Sequence, residues 1–226
     1  MAVRPRTREQ LAAWMPDRNS REGRYRIMHT SSLKHMSRLV ETHLGAAEML
    51  EVIDLGSQDS YGGSYRPIFT NRGWSYRGVD LVTGPNVDIV MSDPYRLPLA
   101  SNSIDVVISG QAFEHIEYFW ITFLEMVRVL KHGGKIFLIA PSRGPEHRYP
   151  VDCWRFYPDG FRALARFGRV DLIQVSTDWE PDAAEDSAMW GDTVGVFKKE
   201  SLGWSRTLGL EITLRCLRAW VRSSVH

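Results

Sequence analysis

Apolar residues along this chain follow two alternating rhythms. Short runs such as Val52–Leu55, Tyr76–Val79 and Ser103–Ser109 are nearly continuous and rich in β-branched side chains, as expected of strands covered on both faces. Longer stretches space their apolar residues by three and four. Leu33, Met36, Leu39, Val40, Leu44 and Met49 make Arg26–Leu50 helical, with Thr30 or Ser31 as its N-cap. Read in order, the pattern predicts that helix, a strand at Val52–Leu55, a helix at Tyr65–Phe69 and a strand at Tyr76–Val79. A short strand at Asn86–Val90, a strand at Ser103–Ser109 and a helix over Phe113–Leu130 follow. Lys131-His-Gly-Gly134 is expected to stop that helix, because glycine tolerates the left-handed C-cap. Beyond it come a strand at Lys135–Ala140, a helix at Pro158–Phe167 and strands at Val170–Thr177 and Thr193–Phe197. Strands alternating with helices, then two consecutive strands, predict an α/β fold with a seven-stranded, mostly parallel sheet. An antiparallel strand belongs at its edge and helices on both faces.

Composition adds little to this picture but excludes some partners. The chain has 226 residues, 43% of them hydrophobic, enough for one domain with appendages. The expected division is a basic arm over residues 1–30, a domain over residues 31–200 and an amphipathic helix within residues 201–226. Arg4, Arg6, Arg8, Arg18, Arg21, Arg24 and Arg26 make the arm basic, and a solvated arm is its simplest reading. In the last segment Trp204, Leu208, Ile212, Leu217 and Trp220 alternate with Arg206, Arg215, Arg218 and Arg222. Packing on its own domain or on the mate of a homodimer is the expectation, and a membrane-surface helix is the alternative. Twenty-eight basic against 27 acidic side chains argue against nucleic acid as a partner. Two cysteines, Cys153 and Cys216, are too few for a disulfide framework. With no signal-like leader and no apolar run of about 18 residues for a transmembrane segment, the cytoplasm is expected.

The chemistry begins at Glu51-Val-Ile-Asp-Leu-Gly-Ser57 and Gly78-Val-Asp80. An apolar strand, a glycine turn, a helix and a second strand ending in a carboxylate form the start of a nucleotide-binding crevice. Asp54, Asp80 and Asp93 all fall at or after strand ends, which an open parallel sheet brings to one edge. A dinucleotide such as NAD needs further glycines so that a helix N-terminus meets its pyrophosphate. Gln58 and Asp59 stand there instead, so phosphate is disfavoured and a cationic cofactor without phosphates fits better.

Asp54-Leu-Gly56, Gly78-Val-Asp80, Ser92-Asp93 with Leu97-Pro98, Ser103–Ser109, Phe113-Glu-His-Ile116 and Val129–Gly134 occur in an order that resembles the class I S-adenosylmethionine-dependent methyltransferases. The likeness covers about Glu51–Ser142 and is to their type-11 branch. It implies a Rossmann-like domain that binds S-adenosylmethionine. Backbone near Gly56 and Ser57 would cradle the methionine part, with Asp54 in the same loop, and Asp80 would bind both ribose hydroxyls. Asp93, beside Ser92, would accept from the adenine amino group, with Leu81 and Pro94 packing the base and Gln111 bordering the methionine moiety. The missing second glycine of the usual Gly-x-Gly is the departure from that pattern.

The acceptor is read from Glu146-His-Arg-Tyr-Pro-Val-Asp-Cys-Trp-Arg-Phe156, a loop expected at the same sheet edge. Methyl transfer to a hydroxyl needs an aligned nucleophile and a group that takes its proton, which makes His147 the candidate base and His115 its rival. Tyr149, Asp152, Trp154 and Arg155 are candidate substrate-binding residues, since aromatic faces stack on pyranose C–H surfaces while charged groups bond hydroxyls. The segment also resembles one in methyltransferases of glycoside and polysaccharide pathways, which implies a sugar hydroxyl as acceptor. Glu114 with Asp152 or Glu146 would supply hard oxygen ligands for Mg²⁺. The loop Trp179–Gly191 reads as a lid or acceptor wall, or as a mobile surface loop. The competing functions are methylation of a small-molecule amine, phenol or carboxylate, and a non-catalytic cofactor-binding interaction module.

Overall fold

The computed structural model describes residues 30–45, 49–59, 63–180, 189–201 and 204–223, with backbone alone at 204–207. The basic arm expected over residues 1–30 therefore lies outside the described residues, apart from its last position. Among those described, the elements are α1 (Thr30–His43), β1 (Glu51–Leu55), α2 (Arg66–Thr70), β2 (Ser75–Asp80), β3 (Ile89–Val90) and β4 (Ile104–Gly110). A 3₁₀ turn at Phe113–His115 leads to α3 (Phe119–Val129) and β5 (Leu130–Pro141). Then come α4 (Pro158–Gly168), β6 (Asp171–Thr177), β7 (Asp192–Lys198) and α5 (Trp204–Ser223).

The strands form one seven-stranded sheet in the order β3-β2-β1-β4-β5-β7-β6. β1 pairs parallel with β2 and β4, and β4 parallel with β5, whereas β7 runs antiparallel to both β5 and β6. The antiparallel strand is thus slotted into that side of the sheet, inside the outermost β6, and the expected seven-stranded, mostly parallel architecture holds.

Continuous apolar runs are needed because both faces are covered. Successive residues of β4 and β5 alternate between two cores: Val106, Ile108, Phe137 and Ile139 meet Met36, Leu39 and Val40 of α1 and Phe69 of α2. Val107, Ile136 and Leu138 face Phe123, Met126 and Val127 of α3 and Phe161 and Leu164 of α4. A third, smaller core joins Leu214 and Val221 of α5 to Tyr95, Ile121 and Leu124.

Three sequence expectations need correction. The first helix ends at His43 rather than Leu50. Lys135 Nζ donates to the His43 carbonyl at 2.8 Å, so a strand lysine caps it, and Leu50 is already aligned with the sheet through Ser75 N–H. The helix expected over Phe113–Leu130 is broken into the 3₁₀ turn and α3. Lys131–Gly134 is not a helix cap but an irregular insertion in β5, where the register jumps from Ile104↔Leu130 to Val106↔Lys135. What receives the end of α3 is Lys199, buried, whose Nζ donates to the carbonyls of Val127 and Leu130, each at 2.7 Å, and to Asn102 Oδ1 at 2.8 Å.

The last helix packs on its own domain, but through a different stripe from the one expected. Leu210, Leu214, Leu217 and Val221 face inward, while Leu208, Ile212 and Trp220 are exposed. Its polar contacts are as important as its apolar ones: Arg218 reaches Glu125 Oε1 at 2.7 Å and Arg222 reaches Asp93 Oδ2 at 3.1 Å. No described helix is long and apolar enough to cross a membrane.

Phe161 is fully buried against Phe156 and Phe197, and a Cβ on Gly195 would meet its ring at 2.4 Å, so the site cannot collapse around a smaller residue without strand movement. Phe161→Ala is expected to cost about 3–5 kcal/mol of unfolding free energy. Chemical denaturation checks this; a loss below about 1 kcal/mol would show that α4 is not docked as described.

Candidate active site

Parallel pairing puts the carboxyl ends of β1, β2, β3, β4 and β5 on one sheet edge, and the strand order reverses between β1 and β4. A crevice at such a reversal is the ligand site of open α/β sheets. Gly56 sits at the reversal with φ +79°, and a Cβ there would lie 2.4 Å from the Ala112 Cβ. Glycine is therefore required twice, by backbone conformation and by the close passage of the loop after β4. The N–H groups of Gly56 and Ser57 both point back to the Val79 carbonyl, which binds this loop to β2.

The three strand-end carboxylates have separate tasks. Asp54 is buried and accepts a hydrogen bond from the Tyr76 hydroxyl. Asn86, at φ +68°, links Tyr76 to the Ser57 carbonyl at 2.8 Å, and its own side-chain oxygen takes the Arg66 Nε at 2.7 Å. Burial lifts the Asp54 pKa to about 7, with the Tyr76 bond opposing and the Asp80 charge adding. Asp54 thus secures the floor of the crevice. Asp80 accepts the N–H of Gln58 at 3.0 Å, Leu81 at 2.6 Å and Val82 at 3.4 Å. Burial raises its pKa while those donors offset part of the rise. Asp93 caps Tyr95 N–H at 2.8 Å and pairs with Arg222, beside an exposed Ser92. A nearly buried carboxylate held by a glycine-bearing loop suits a ligand that brings hydroxyls and positive charge, as S-adenosylmethionine does.

Gln111 takes the left-handed conformation, φ +58°, and donates to Asp192 Oδ1 at 2.8 Å. Asp192 starts β7, opposite Pro141 at the end of β5, so antiparallel pairing delivers it to this same edge. Ser31 donates to its other oxygen at 2.9 Å.

The segment after β5 also arrives here, and its charged residues form one network. Arg155 grips Asp152 with a two-point fork, 2.6 and 2.8 Å, while the backbone N–H of His147 donates to Asp152 Oδ2 at 2.8 Å. Burial alone would lift the Asp152 pKa, but the fork and the His147 N–H hold it near 2. His147 Nδ1 lies 3.3 Å from the same carboxylate, off hydrogen-bonding geometry. Its ring packs on Trp190, centroids 4.5 Å apart, and edge-on against His115 at 4.9 Å. Burial lowers the His147 pKa, so its imidazole stays neutral near pH 7 despite the Asp152 charge.

Tyr149 also lies edge-on to His115, at 6.0 Å. Trp154 does not face this cluster. Its indole N–H donates to the carbonyls of Ile116 and Glu117, at 3.1 and 3.2 Å, and its ring packs on Phe119 and Trp120. Trp154 is accordingly a brace for the 3₁₀ turn.

Asp152 is also withdrawn from the expected Mg²⁺ set, since both its oxygens are occupied by Arg155 and His147. Glu146, exposed, pairs with Arg148. The donors that converge on Glu114 are instead His115 and His147, all three ligand atoms within 4.8 Å of one another.

Some members escaped sequence reading. Trp190 stood in a segment read as a lid, an acceptor wall or a mobile surface loop, yet it is a buried support beneath His147. Asp192 and Arg222 lie far along the chain from the residues they touch, and no local spacing marks them. Glu114 gave a signal in Phe113-Glu-His-Ile116, but its burial was not legible. The rest of the Trp179–Gly191 loop, residues 181–188, is outside the described residues.

Comparison with known proteins bears on the domain family and the fold. Residues 60–138 match the family model described as a methyltransferase domain. Two curated relatives, both uncharacterized methyltransferases, are from Mycobacterium leprae (strain Br4923), 27% identical over 64% of this chain and 58% of the relative, and from Mycobacterium sp. (strain KMS), 28% identical over 64% and 62%. The chain thus spans about three fifths of the length of these relatives. Among solved structures, 1,6-didemethyltoxoflavin-N1-methyltransferase of Burkholderia thailandensis, bound to 1,6-didemethyltoxoflavin and S-adenosylhomocysteine, superposes with a TM-score of 0.60. It is 17% identical over 76% of this chain and 79% of that one. An S-adenosylmethionine-dependent methyltransferase of Mesorhizobium loti gives 0.55, at 16% identity over 74% of this chain and 100% of that one. At such identities the likeness is one of fold.

The buried carboxyl of Asp54 makes a pH prediction. Its pKa is 3.8 in the unfolded reference and about 7 when folded, so between those values the native state keeps a proton that the unfolded chain loses. Stability at this site is therefore full below about pH 4 and declines as pH rises towards 7, by a few kcal/mol. Asp54→Asn keeps an acceptor for Tyr76 and removes the titration. The urea midpoint of the variant, relative to wild type, is expected to rise over that window; a difference independent of pH would show that Asp54 is not buried as described.

Proposed function

We propose that this chain is a class I S-adenosylmethionine-dependent methyltransferase that methylates a hydroxyl of a saccharide, glycoside or polysaccharide precursor, a reading supported by the methyltransferase-domain match over residues 60–138 and by the fold. The observation that carries the acceptor reading is the His147–Asp152–Arg155 network, bordered by the aromatic faces of Tyr149 and Trp190, on a loop at the crevice edge. When bound, the cofactor supplies an electrophilic methyl: its C–S bond breaks as the C–O bond forms, leaving the thioether, the methyl ether and the hydroxyl proton.

The chain's own residues do the rest. Asp80 holds the ribose hydroxyls and is kept in place by the backbone of Gln58, Leu81 and Val82. Asp93 takes the adenine side with Leu81 and Pro94, and Gln111 borders the methionine end, steadied by Asp192. His147 takes the hydroxyl proton, and Asp152, itself locked by Arg155, holds the loop that carries it. Arg155 and Asp152 are on this reading positioning residues, while Tyr149 and Trp190 shape the acceptor wall. Cys153 and Cys216, both free and exposed, fit a reducing compartment such as the cytoplasm.

Two expected outcomes test the reading. Asp80→Ala should weaken S-adenosylhomocysteine binding at least about 10-fold, some 1.4 kcal/mol by calorimetry. With methyl-labelled cofactor, label should pass to saccharide or glycoside acceptors, and His147→Ala should lower kcat by about 10²–10⁴. The Burkholderia enzyme's name places N-methyl transfer on this fold, so amine, phenol and carboxylate acceptors form the competing arm. Transfer confined to that arm overturns the saccharide assignment, and unchanged kcat in His147→Ala overturns the role of His147.

A further inference from the structure

Glu114 is the least explained side chain in the described structure. It is fully buried, neither carboxylate oxygen has a hydrogen-bond partner, and Oε1 lies 3.6 Å from His115 Nε2, beyond hydrogen-bonding range. An isolated buried carboxylate is costly, and native structures seldom leave one unpaired without a cation or ligand to meet it. His147 Nδ1, close by, is likewise buried and without a hydrogen bond.

The surroundings are arranged to hold something at this point. His115 Nδ1 is 2.6 Å from the Val151 carbonyl, which fixes the proton on that nitrogen and leaves Nε2 as a lone-pair donor on the Glu114 side. Val151 belongs to the segment that carries His147, and the N–H groups of Cys153 and Trp154 donate to the Glu114 carbonyl at 2.7 and 3.3 Å. The loop after β5 is thereby fastened to the 3₁₀ turn; the His115 imidazole is braced from outside the cluster by the Val151 carbonyl, and the backbone of His147 is held by Asp152. Such outer bracing is how imidazoles are aimed at metal ions.

We propose that Glu114, His115 and His147 bind a divalent first-row transition-metal ion, of the Zn²⁺ or Mn²⁺ kind. Two imidazole nitrogens and one carboxylate suit such an ion, whereas Mg²⁺ prefers an all-oxygen shell. The other described group of metal-capable residues, His35, Asp178 and Asp192, lacks this character. His35 is already paired with Asp178 at 2.6 Å, and the Asp192 oxygens are taken by Ser31 and Gln111. The inference deepens the proposed function and rests on it for the acceptor's position. An ion held there would acidify the acceptor hydroxyl, whose proton would then pass to solvent water, with His147 as a ligand; without the ion, His147 remains the base proposed above.

The test uses the full-length chain without an affinity tag, stripped with chelator and titrated with Co²⁺ and, separately, Zn²⁺. One ion per chain is expected, with Co²⁺ visible absorption typical of nitrogen and oxygen ligands. Glu114→Gln and His115→Ala should weaken binding at least about 10-fold, while His35→Ala should retain it. Calorimetry with S-adenosylhomocysteine on the same variants reports whether they are folded. Absence of stoichiometric binding to folded wild type, undiminished binding in folded Glu114→Gln, or loss in His35→Ala instead overturns the site. Saccharide methylation that persists with no metal bound overturns the ion's part in acidifying the acceptor and leaves the saccharide assignment standing; metal binding with no saccharide methylated removes only the acceptor assignment.

Discussion

Parallel pairing of β1 with β2 on one side and β4 on the other is the constraint from which the rest of this molecule follows. Parallel neighbours end on the same edge, so Gly56, Asp80, the Ser92-Asp93 turn, Gln111 and the segment after Pro141 are carried to one place. Such a sheet must be covered on both faces, and α1 and α2 on one side with α3 and α4 on the other do so. Close passage of Gly56 past Ala112 then joins the two halves of the sheet at the reversal, where a Cβ would keep them apart.

Charge pairs complete what apolar packing begins. Glu125, fully buried, receives Arg128 at 2.8 Å, Arg218 at 2.7 Å and the Leu97 N–H at 3.0 Å, so one carboxylate ties α3, α5 and the loop after β3 together. Removing one partner of such a group would leave an uncompensated buried charge, so α5 is bound to the fold by more than its apolar stripe. Arg222 extends this clamp to Asp93, which makes the last helix part of the support of the crevice.

Around the segment after β5 polar bonding is unevenly distributed. Asp152 is saturated by Arg155 and His147, whereas the Glu114 carboxylate, a short distance away through the same loop, has no hydrogen-bond partner and only His115 Nε2 at 3.6 Å. Burial raises the Glu114 pKa to about 8, with Asp192 adding and Arg155 opposing, so the carboxyl is mostly protonated at neutral pH unless a cation meets it. Asp152 makes a rigid mount, and the buried, unpaired group beside it is where binding of a cation is rewarded.

Much of the fold was legible in the sequence because its causes are local or periodic. Continuous β-branched runs mark strands buried on both faces, and three- and four-residue spacing marks α1, α3 and α4. The Gly56 and Asp80 positions could be found because strand, turn and strand follow one another within 30 residues of chain. Hidden from the sequence was whatever depends on which distant segment arrives next to a residue. Lys199 receiving the end of α3, the fork that withdraws Asp152 from metal binding, Trp154 bracing a turn and Trp190 under His147 are all of that kind. The inward stripe of α5 is another, since its helix offered more than one apolar face and only contact with α3 chose between them. The sequence by itself determined the order of elements and the edge on which the chemistry lies, because hydrogen-bonded periodicity and glycine's backbone freedom are properties of short segments. Tertiary structure alone decided which carboxylates are paired and which is orphaned, because burial and partner geometry are set by packing between segments far apart in the chain.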